Sequence, residues 1–416
     1  MDIYIRRLKD TKIIIIGGGA AGFFAAINLA ILKPKLQIEI VEKSTKLLSK
    51  VKISGGGRCN VTNFCLDNAI LSANYPRGNK ELRQLFSNFS VQDTMNWFQN
   101  QEVHLKIEDD GRVFPISNDS QSIIDCFLRL CEKYNIKITT QCEVFAIEPG
   151  KNNFTLKTSQ GIFNANHVIC CIGGHAKLGS YQFIANLGHK IISPIPSLFT
   201  FNLTKHPINK ELQGISVPDA EVKVDGIKLV SRGPVLITHW GFSGPAVLKL
   251  SAFGAEELFD KNYNCAFSIK WLGGLSYSEI ENLVFELQKT KHTALPYSNP
   301  LNGLPKRLWE YILTEAGIDS KKIWAEIPKK QLHQLIDLLY NHKFEMNGKT
   351  TFKEEFVTCG GVDLKEIDFK TMQSKLIPGL FFCGEVINAD GITGGFNFQN
   401  AWSTAFVCSR SIAEVC

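Results

Sequence analysis

Three glycines at positions 17, 19 and 22, followed by a carboxylate at Glu42, carry the clearest chemistry in the chain. The pattern G-x-G-x-x-G, with an acidic residue about 20 positions further on, is what a dinucleotide demands of a strand–turn–helix. Gly17 allows the tight turn. Gly19 lets a pyrophosphate reach the backbone, and Gly22 lets the helix lie close on the strand. Ala20 and Ala21 open that helix, whose first N–H groups and positive dipole end suit phosphate. A carboxylate at Glu42 accepts hydrogen bonds from a ribose 2′-hydroxyl and repels a 2′-phosphate.

A second run, Ser54-Gly55-Gly56-Gly57-Arg58-Cys59-Asn60-Val61-Thr62-Asn63, offers successive backbone N–H groups for an anion nest. Arg58 adds fixed positive charge, and Asn60 adds neutral hydrogen-bonding groups. Cys59 is read as a buried structural thiol rather than a reactive one. A third signal lies near the other end. A strand runs into Gly384-Glu385, and the turn Gly394-Gly395 opens a helix at Phe396-Asn397. Glu385 suits a ribityl or ribose hydroxyl, and the helix end can stabilise negative charge on a reduced flavin ring. A site assembled from opposite chain ends would explain why both are glycine-rich. Weaker signals are Gly173 at a strand end, His239 as an acid–base or structural histidine, and Arg112, which either faces the pocket or ties down a hairpin. The chain has no Cys-x-x-Cys, so no metal site is expected.

These residues need particular elements. Lys12–Ile16 reads as a strand, Ala20–Leu32 as a helix and Gln37–Val41 as a second strand, a β-turn-α-β unit. Leu82–Asn100 and Ser122–Tyr134 read as helices, with a strand pair at Val103–Pro115 between them. Strands follow at Cys142–Ile147, Phe154–Thr158 and Ala165–Ile172. Beyond Pro194 and Pro196 come short strands at Phe199–Leu203, Glu221–Val224, Val235–Thr238 and Cys265–Trp271, which suggest an antiparallel barrel or sheet. Two amphipathic helices follow, one face carrying Ile280, Leu283, Val284 and Leu287, the other Leu332, Leu335, Ile336 and Leu339. The layout predicts an α/β Rossmann-like domain formed by residues 1–193 and 346–416, interrupted at 194–345 by a barrel-and-helix domain.

Composition narrows the class. A chain of 416 residues with 44% hydrophobic and 21% charged residues is a folded protein of more than one domain. The net charge of +6 is spread along the chain, with no dense basic run, so a small-molecule partner is expected rather than nucleic acid. Twelve cysteines without a disulfide-like pattern suggest a reducing, cytoplasmic setting. The uncharged run 13–32 could pass for a membrane segment or signal peptide, but four isoleucines leading into three glycines read as strand and turn.

Together these segments resemble the BaiN-like group of bacterial flavoproteins, NAD(P)/FAD-dependent or aminoacetone-oxidase-like oxidoreductases. The resemblance is carried by Gly17–Gly22 with Glu42-Lys43, Ser54–Asn63, Gly111–Pro115, Gly173-Gly174, Thr238–Pro245, Cys359–Val362 and Gly384–Trp402. It implies a glutathione-reductase-like FAD fold with an inserted barrel domain. It also implies FAD contacts at Ala21, Glu42, Lys43, Gly55–Asn60, Val144, Gly384-Glu385 and Gly394–Asn397. The family often has an acidic residue where Asn388 stands and a Glu where Gln373 stands. The expected activity is hydride transfer between the flavin and a small organic substrate or NAD(P)H, the latter a transient donor, since no second dinucleotide fingerprint is present. The alternatives are a flavin-dependent RNA-modifying protein and a non-enzymatic FAD-binding interaction protein. The sequence leaves the oligomeric state open.

Overall fold

Four consecutive isoleucines make β1 (Lys12–Ile16) the buried middle of a sheet. A strand covered on both faces has no need of polar alternation. The computed structural model describes residues 11–301, 303–350 and 357–416. After β1 the chain enters α1 (Ala20–Leu32) and returns in β2 (Gln37–Val41), parallel to β1 with Ile13 opposite Ile38. β3 (Lys137–Thr139) extends the sheet beyond β2, and β4 (His167–Cys170) pairs with the other edge of β1. β5 (Leu380–Phe382) pairs in parallel with β4, and two short antiparallel strands complete seven. The last element, α2 (Phe396–Val415), packs along α1. Between them sits an aromatic core. Phe24 lies 4.5 Å from Trp97 and 5.1 Å from Trp402, centroid to centroid. The uncharged run 13–32 is therefore strand, turn and buried helix. Among the described residues no helix is long and apolar enough to cross a membrane.

One buried charge sits inside this sheet. Glu39 on β2 pairs with Lys12 (2.9 Å) and Lys137 (2.8 Å) and accepts from Thr139 Oγ1 (2.8 Å). Burial pushes its carboxyl up, but Lys137, Lys12 and Thr139 together outweigh that and hold it below the usual range.

The chain divides into two compact units, Met1–Pro196 with Lys353–Cys416, and Ser197–Phe352. The second unit holds a seven-stranded antiparallel sheet. Its outermost strands, His342–Asn347 and Lys349–Thr350, meet at Gly348. That residue donates to Tyr263 O (2.8 Å) and accepts from Asn202 N–H (3.2 Å), so the sheet rolls back on itself as a barrel. Helices Tyr277–Thr290 and Lys329–Asn341 pack together, burying Ile280 and Val284 on one and Leu332, Leu335, Ile336 and Leu339 on the other.

Three expectations need correction. The helix read over Leu82–Asn100 is two, Asn79–Phe86 and Val91–Asn100, because Ser90 and Asp93 form a capping box that starts the second. The strand read over Ala165–Ile172 is two, Gly161–Ala165 and His167–Cys170, which pair in different sheets. Leu283 faces outward more than its helical partners do.

The histidines give a pH prediction. Burial lowers the pKa of His167, His175, His189 and His206 below the ordinary 6.5. Their neutral forms suit the fold, so the associated stability is fully present above pH 6.5 and is lost as pH falls through the lowered values. Thermal melts from pH 7.5 to 5 should show Tm falling steadily below about 6.5. A flat profile there would contradict these burials.

Candidate functional site

β1, β2, β4 and β5 all run the same way, so their carboxyl ends lie along one edge of the sheet. In order they lead into Gly17, Glu42, Cys171 with Gly173-Gly174, and Gly384-Glu385. Open α/β sheets bind ligands at that edge. The sequence signals at 17–22, 42, 173 and 384–385 thus come from neighbouring strand ends.

The glycines divide by what a side chain would meet. At Gly17 (φ +113°) a Cβ would lie 2.3 Å from Cys171 O. At Gly22 it would lie 2.0 Å from Gly17 O, so α1 rests on the turn itself. At Gly19, Gly56 and Gly57 a Cβ would meet nothing within 4 Å. Packing therefore requires the first two, while the last three leave open backbone where a ligand can approach. Gly19 is the N-cap of α1 and makes no side-chain cap, which leaves the helix start for an anion. Glu42 is held at the end of β2 by Gly18 N–H (2.8 Å) and Ser44 N–H (2.9 Å), one to each oxygen. Further lone pairs are left for hydroxyl donors. Val144 starts the strand Val144–Pro149, two residues beyond Cys142, whose N–H donates to Glu42 O (2.9 Å).

The Ser54–Asn63 segment follows a short helix that begins at Ser49: Ser54 is extended, Gly55, Gly56 and Gly57 form a left-handed turn, and Thr62–Asn63 is a short strand. Arg58 stacks 3.8 Å above the Phe114 ring and pairs with Glu108 (2.6 Å), so its charge is shared with the hairpin. Arg112 pairs with Asp110 (2.7 Å) and Glu108 (3.2 Å) and ties down that hairpin. Cys59 is fully buried, and desolvation pushes its thiol up to about 12, an inert structural group. Asn60 Oδ1 accepts from Val113 N–H (3.3 Å).

The two ends of the chain meet here. Asn63 Nδ2 donates to Gly394 O (3.2 Å), and Thr62 Oγ1 donates to Gln399 Oε1 (2.7 Å). Trp402 Nε1 donates to Val61 O (2.9 Å), and Tyr75 OH donates to Phe396 O (2.6 Å). Arg77 grips Asp390 with two guanidinium hydrogen bonds just before the turn. Gly384 has a left-handed φ, and a Cβ there would lie 2.9 Å from Ala21 Cβ. Glu385 accepts from Lys50 Nζ and from Gly174 N–H (3.4 Å). Lys43 is exposed nearby. Beside it His175 is held neutral by burial first, then by Lys43 and Lys50. α2 starts at Gly395 (φ +96°) with no side-chain cap, and Asn397 closes a ring with the backbone of Gly391 (2.8 and 2.9 Å).

Sequence reasoning passed over Asn400. It is fully buried, and both atoms of its amide lack a protein partner. It lies one helical turn before Thr404, whose hydroxyl accepts from Gly384 N–H (2.9 Å). A buried amide of this kind calls for a polar partner. The polar residues Gln399, Asn400, Ser403 and Thr404 inside a buried helix were the available signal. Asn388 and Gln373, the departures from the family pattern, serve internal bonds to Gly360 N–H (3.0 Å) and Gly379 N–H (3.1 Å). Ser374, His189 and Glu366 are linked in the order of a hydrolase triad at 3.0 Å each, but Ser374 Oγ also accepts from Leu376 and Ile377 N–H and is buried. They clamp a loop and offer no nucleophile. His239 is exposed at a hairpin turn of the second unit.

Open backbone at Gly19, Gly56 and Gly57, a carboxylate at a strand end and an orphaned buried amide fit a dinucleotide such as FAD. Comparison with known proteins agrees. Residues 11–411 match the family model described as "HI0933-like protein Rossmann domain". A ribosomal RNA dihydrouridine synthase of Haemophilus influenzae is 30% identical over 96% of this chain and 98% of its own. A 3-dehydro-bile acid delta(4,6)-reductase of Clostridium scindens is 27% identical over 97% of this chain and 99% of its own. In structure the chain is similar to 3-ketosteroid delta1-dehydrogenase from Sterolibacterium denitrificans, with a TM-score of 0.53 at 10% identity over 97% of this chain and 99% of the other, which shows the fold alone.

Proposed function

The chain belongs to the HI0933-like family of FAD-binding Rossmann flavoproteins and is a flavin-dependent reductase, and we propose that it reduces a carbon–carbon double bond conjugated to a carbonyl, specifically that of a uracil ring in RNA. The observation that carries the flavin part is the closure of Gly394-Gly395 on Thr62-Asn63, which brings both glycine regions to one sheet edge. The substrate part is supported by the relatives' names, which describe adding hydrogen to uridine in ribosomal RNA and to double bonds of a 3-dehydro-bile acid. In both, hydride suits the carbon remote from the carbonyl, a proton goes to the adjacent carbon, and the carbonyl oxygen spreads the charge.

Bound at this edge, FAD supplies the hydride. The chain's residues bind and orient. N–H groups at Gly19 and along Gly56-Gly57 take the phosphates. Glu42 takes the adenosine ribose, with Lys43 and Val144 beside it. Glu385 takes the ribityl chain, held in place by Lys50 and Gly174. Asn400 supplies the buried polar partner. The start of α2 favours negative charge on the reduced ring. NADH or NADPH is the proposed source of reducing equivalents, docking transiently.

Glu42→Ala should weaken FAD about 10- to 100-fold, the loss of charge-assisted hydrogen bonds. Flavin absorbance retained after gel filtration checks it, and unchanged occupancy would refute the assignment. The function is tested by adding NADH or NADPH anaerobically to the holoenzyme, following the flavin band, and then adding RNA and digesting it to nucleosides. Bleaching followed by dihydrouridine in the digest is the expected result. Reduction of a steroid dienone with RNA left unchanged would overturn the RNA assignment, and no bleaching with either donor would overturn the proposed donor.

A further inference from the structure

Of the six tryptophans, five are at most 9% exposed, whereas Trp240 is 48% exposed. It lies beside exposed His239, ring centroids 4.6 Å apart, in the turn between the strands Val230–Ile237 and Gly241–Ser243 of the second unit. The turn is tightly built. Thr238 Oγ1 accepts from Trp240 N–H (3.2 Å) and Gly241 N–H (3.2 Å) and donates to Gly241 O (3.0 Å). Trp240 O accepts from Leu203 N–H (2.8 Å). Gly241 admits no side chain, since a Cβ would lie 2.0 Å from Phe201 O. Exposed Lys205 follows Leu203 by two residues on the neighbouring loop.

We propose that Trp240, with His239 beside it, is a stacking platform for an unpaired base of single-stranded RNA, an inference that rests on the RNA reading above. A large exposed indole on a fixed turn has its π-face presented in advance, so little freedom is lost when a planar ring settles on it. Any base has such a face, and a nearby lysine neutralises the phosphate that accompanies it. Bases within a duplex keep their faces stacked on one another and are not available, so the platform selects single strands.

The test uses the FAD-loaded full chain and a short uridine-rich RNA, offered as a single strand or annealed to its complement. Because the other tryptophans are buried, the acrylamide-quenchable fluorescence reports Trp240. The single strand should shield it and the duplex should not. Trp240→Ala should weaken binding of the labelled single strand about 5- to 150-fold by anisotropy, and Trp240→Phe should stay close to wild type. Should Trp240→Ala fold poorly, shielding in the unaltered protein decides alone. If the single strand binds while Trp240 stays fully quenchable, or binds Trp240→Ala as tightly, the platform is wrong and the RNA reading stands. If neither RNA form binds the unaltered protein, the RNA reading falls and the platform with it.

Discussion

Gly22→Ala should leave a protein with little bound flavin and a Tm many degrees lower. The methyl would sit 2.0 Å from Gly17 O and 3.5 Å from Ile15 Cγ2, so α1 must move away from β1. It has nowhere to go. Ala21 to Ala30 are all buried, with α2 packed along the helix. Overpacking of this kind costs about 1–3 kcal/mol, more when backbone resists, and the opposing atom here is a carbonyl oxygen. The same shift would displace the N–H groups at the start of α1, so affinity and stability fall together. Gly19→Ala separates the two reasons. Its φ of −96° is ordinary for alanine, and a Cβ there meets nothing in the protein. It should melt within about 1 kcal/mol of the parent yet hold FAD at least 10-fold more weakly, because the methyl stands where a phosphate would approach. Thermal melts and retained flavin absorbance read both effects. A Gly22→Ala protein with parental Tm and colour would show that the strand–helix approach is looser than described.

The β-turn-α-β unit could be read from the sequence because each of its rules is local. A run of isoleucines, three spaced glycines and an apolar helix need no knowledge of the rest of the chain, and Lys12–Ile16, Ala20–Leu32 and Gln37–Val41 have the expected bounds. The break at Ser90 was local too: the poor helix formers Ser87-Asn88 and the Ser90–Asp93 capping box mark it in the sequence itself. What stayed hidden depends on distant partners. Arg58 reads as a free cation until Glu108 and Phe114 are placed against it. That the Asn397 amide closes on the Gly391 backbone, two bonds across six residues, is likewise set by the fold of the turn. Asn400 reads as one more helix residue, because its burial without a partner is a property of the packed fold. Type and spacing show which groups can do chemistry, whereas their occupancy by other protein groups is decided by tertiary contacts.

Gly395→Ala bears most directly on the assembly of the site from both chain ends. Gly395 has φ +96°, which costs an alanine about 1–2 kcal/mol, and its Cβ would lie 2.5 Å from both the carbonyl carbon and oxygen of Thr62. The opposing group is backbone and cannot rotate away, so the turn and the Thr62-Asn63 segment must part. The bonds from Asn63 to Gly394 and from Thr62 to Gln399 are first in line to break. Further along α2, Trp402 still holds Val61 O and Ser409 still holds Ala25 O, so the helix should stay docked. The expected protein is therefore folded, about 2–3 kcal/mol less stable by denaturant titration, and at least 100-fold weaker for FAD. That combination differs from Gly22→Ala, where both losses share one cause at the centre of the unit. A Gly395→Ala protein that keeps its flavin through gel filtration would mean that closure of the carboxy-terminal turn on the Ser54–Asn63 segment is not what holds the cofactor, and binding would then rest on the Gly17–Gly22 turn and Glu42 alone.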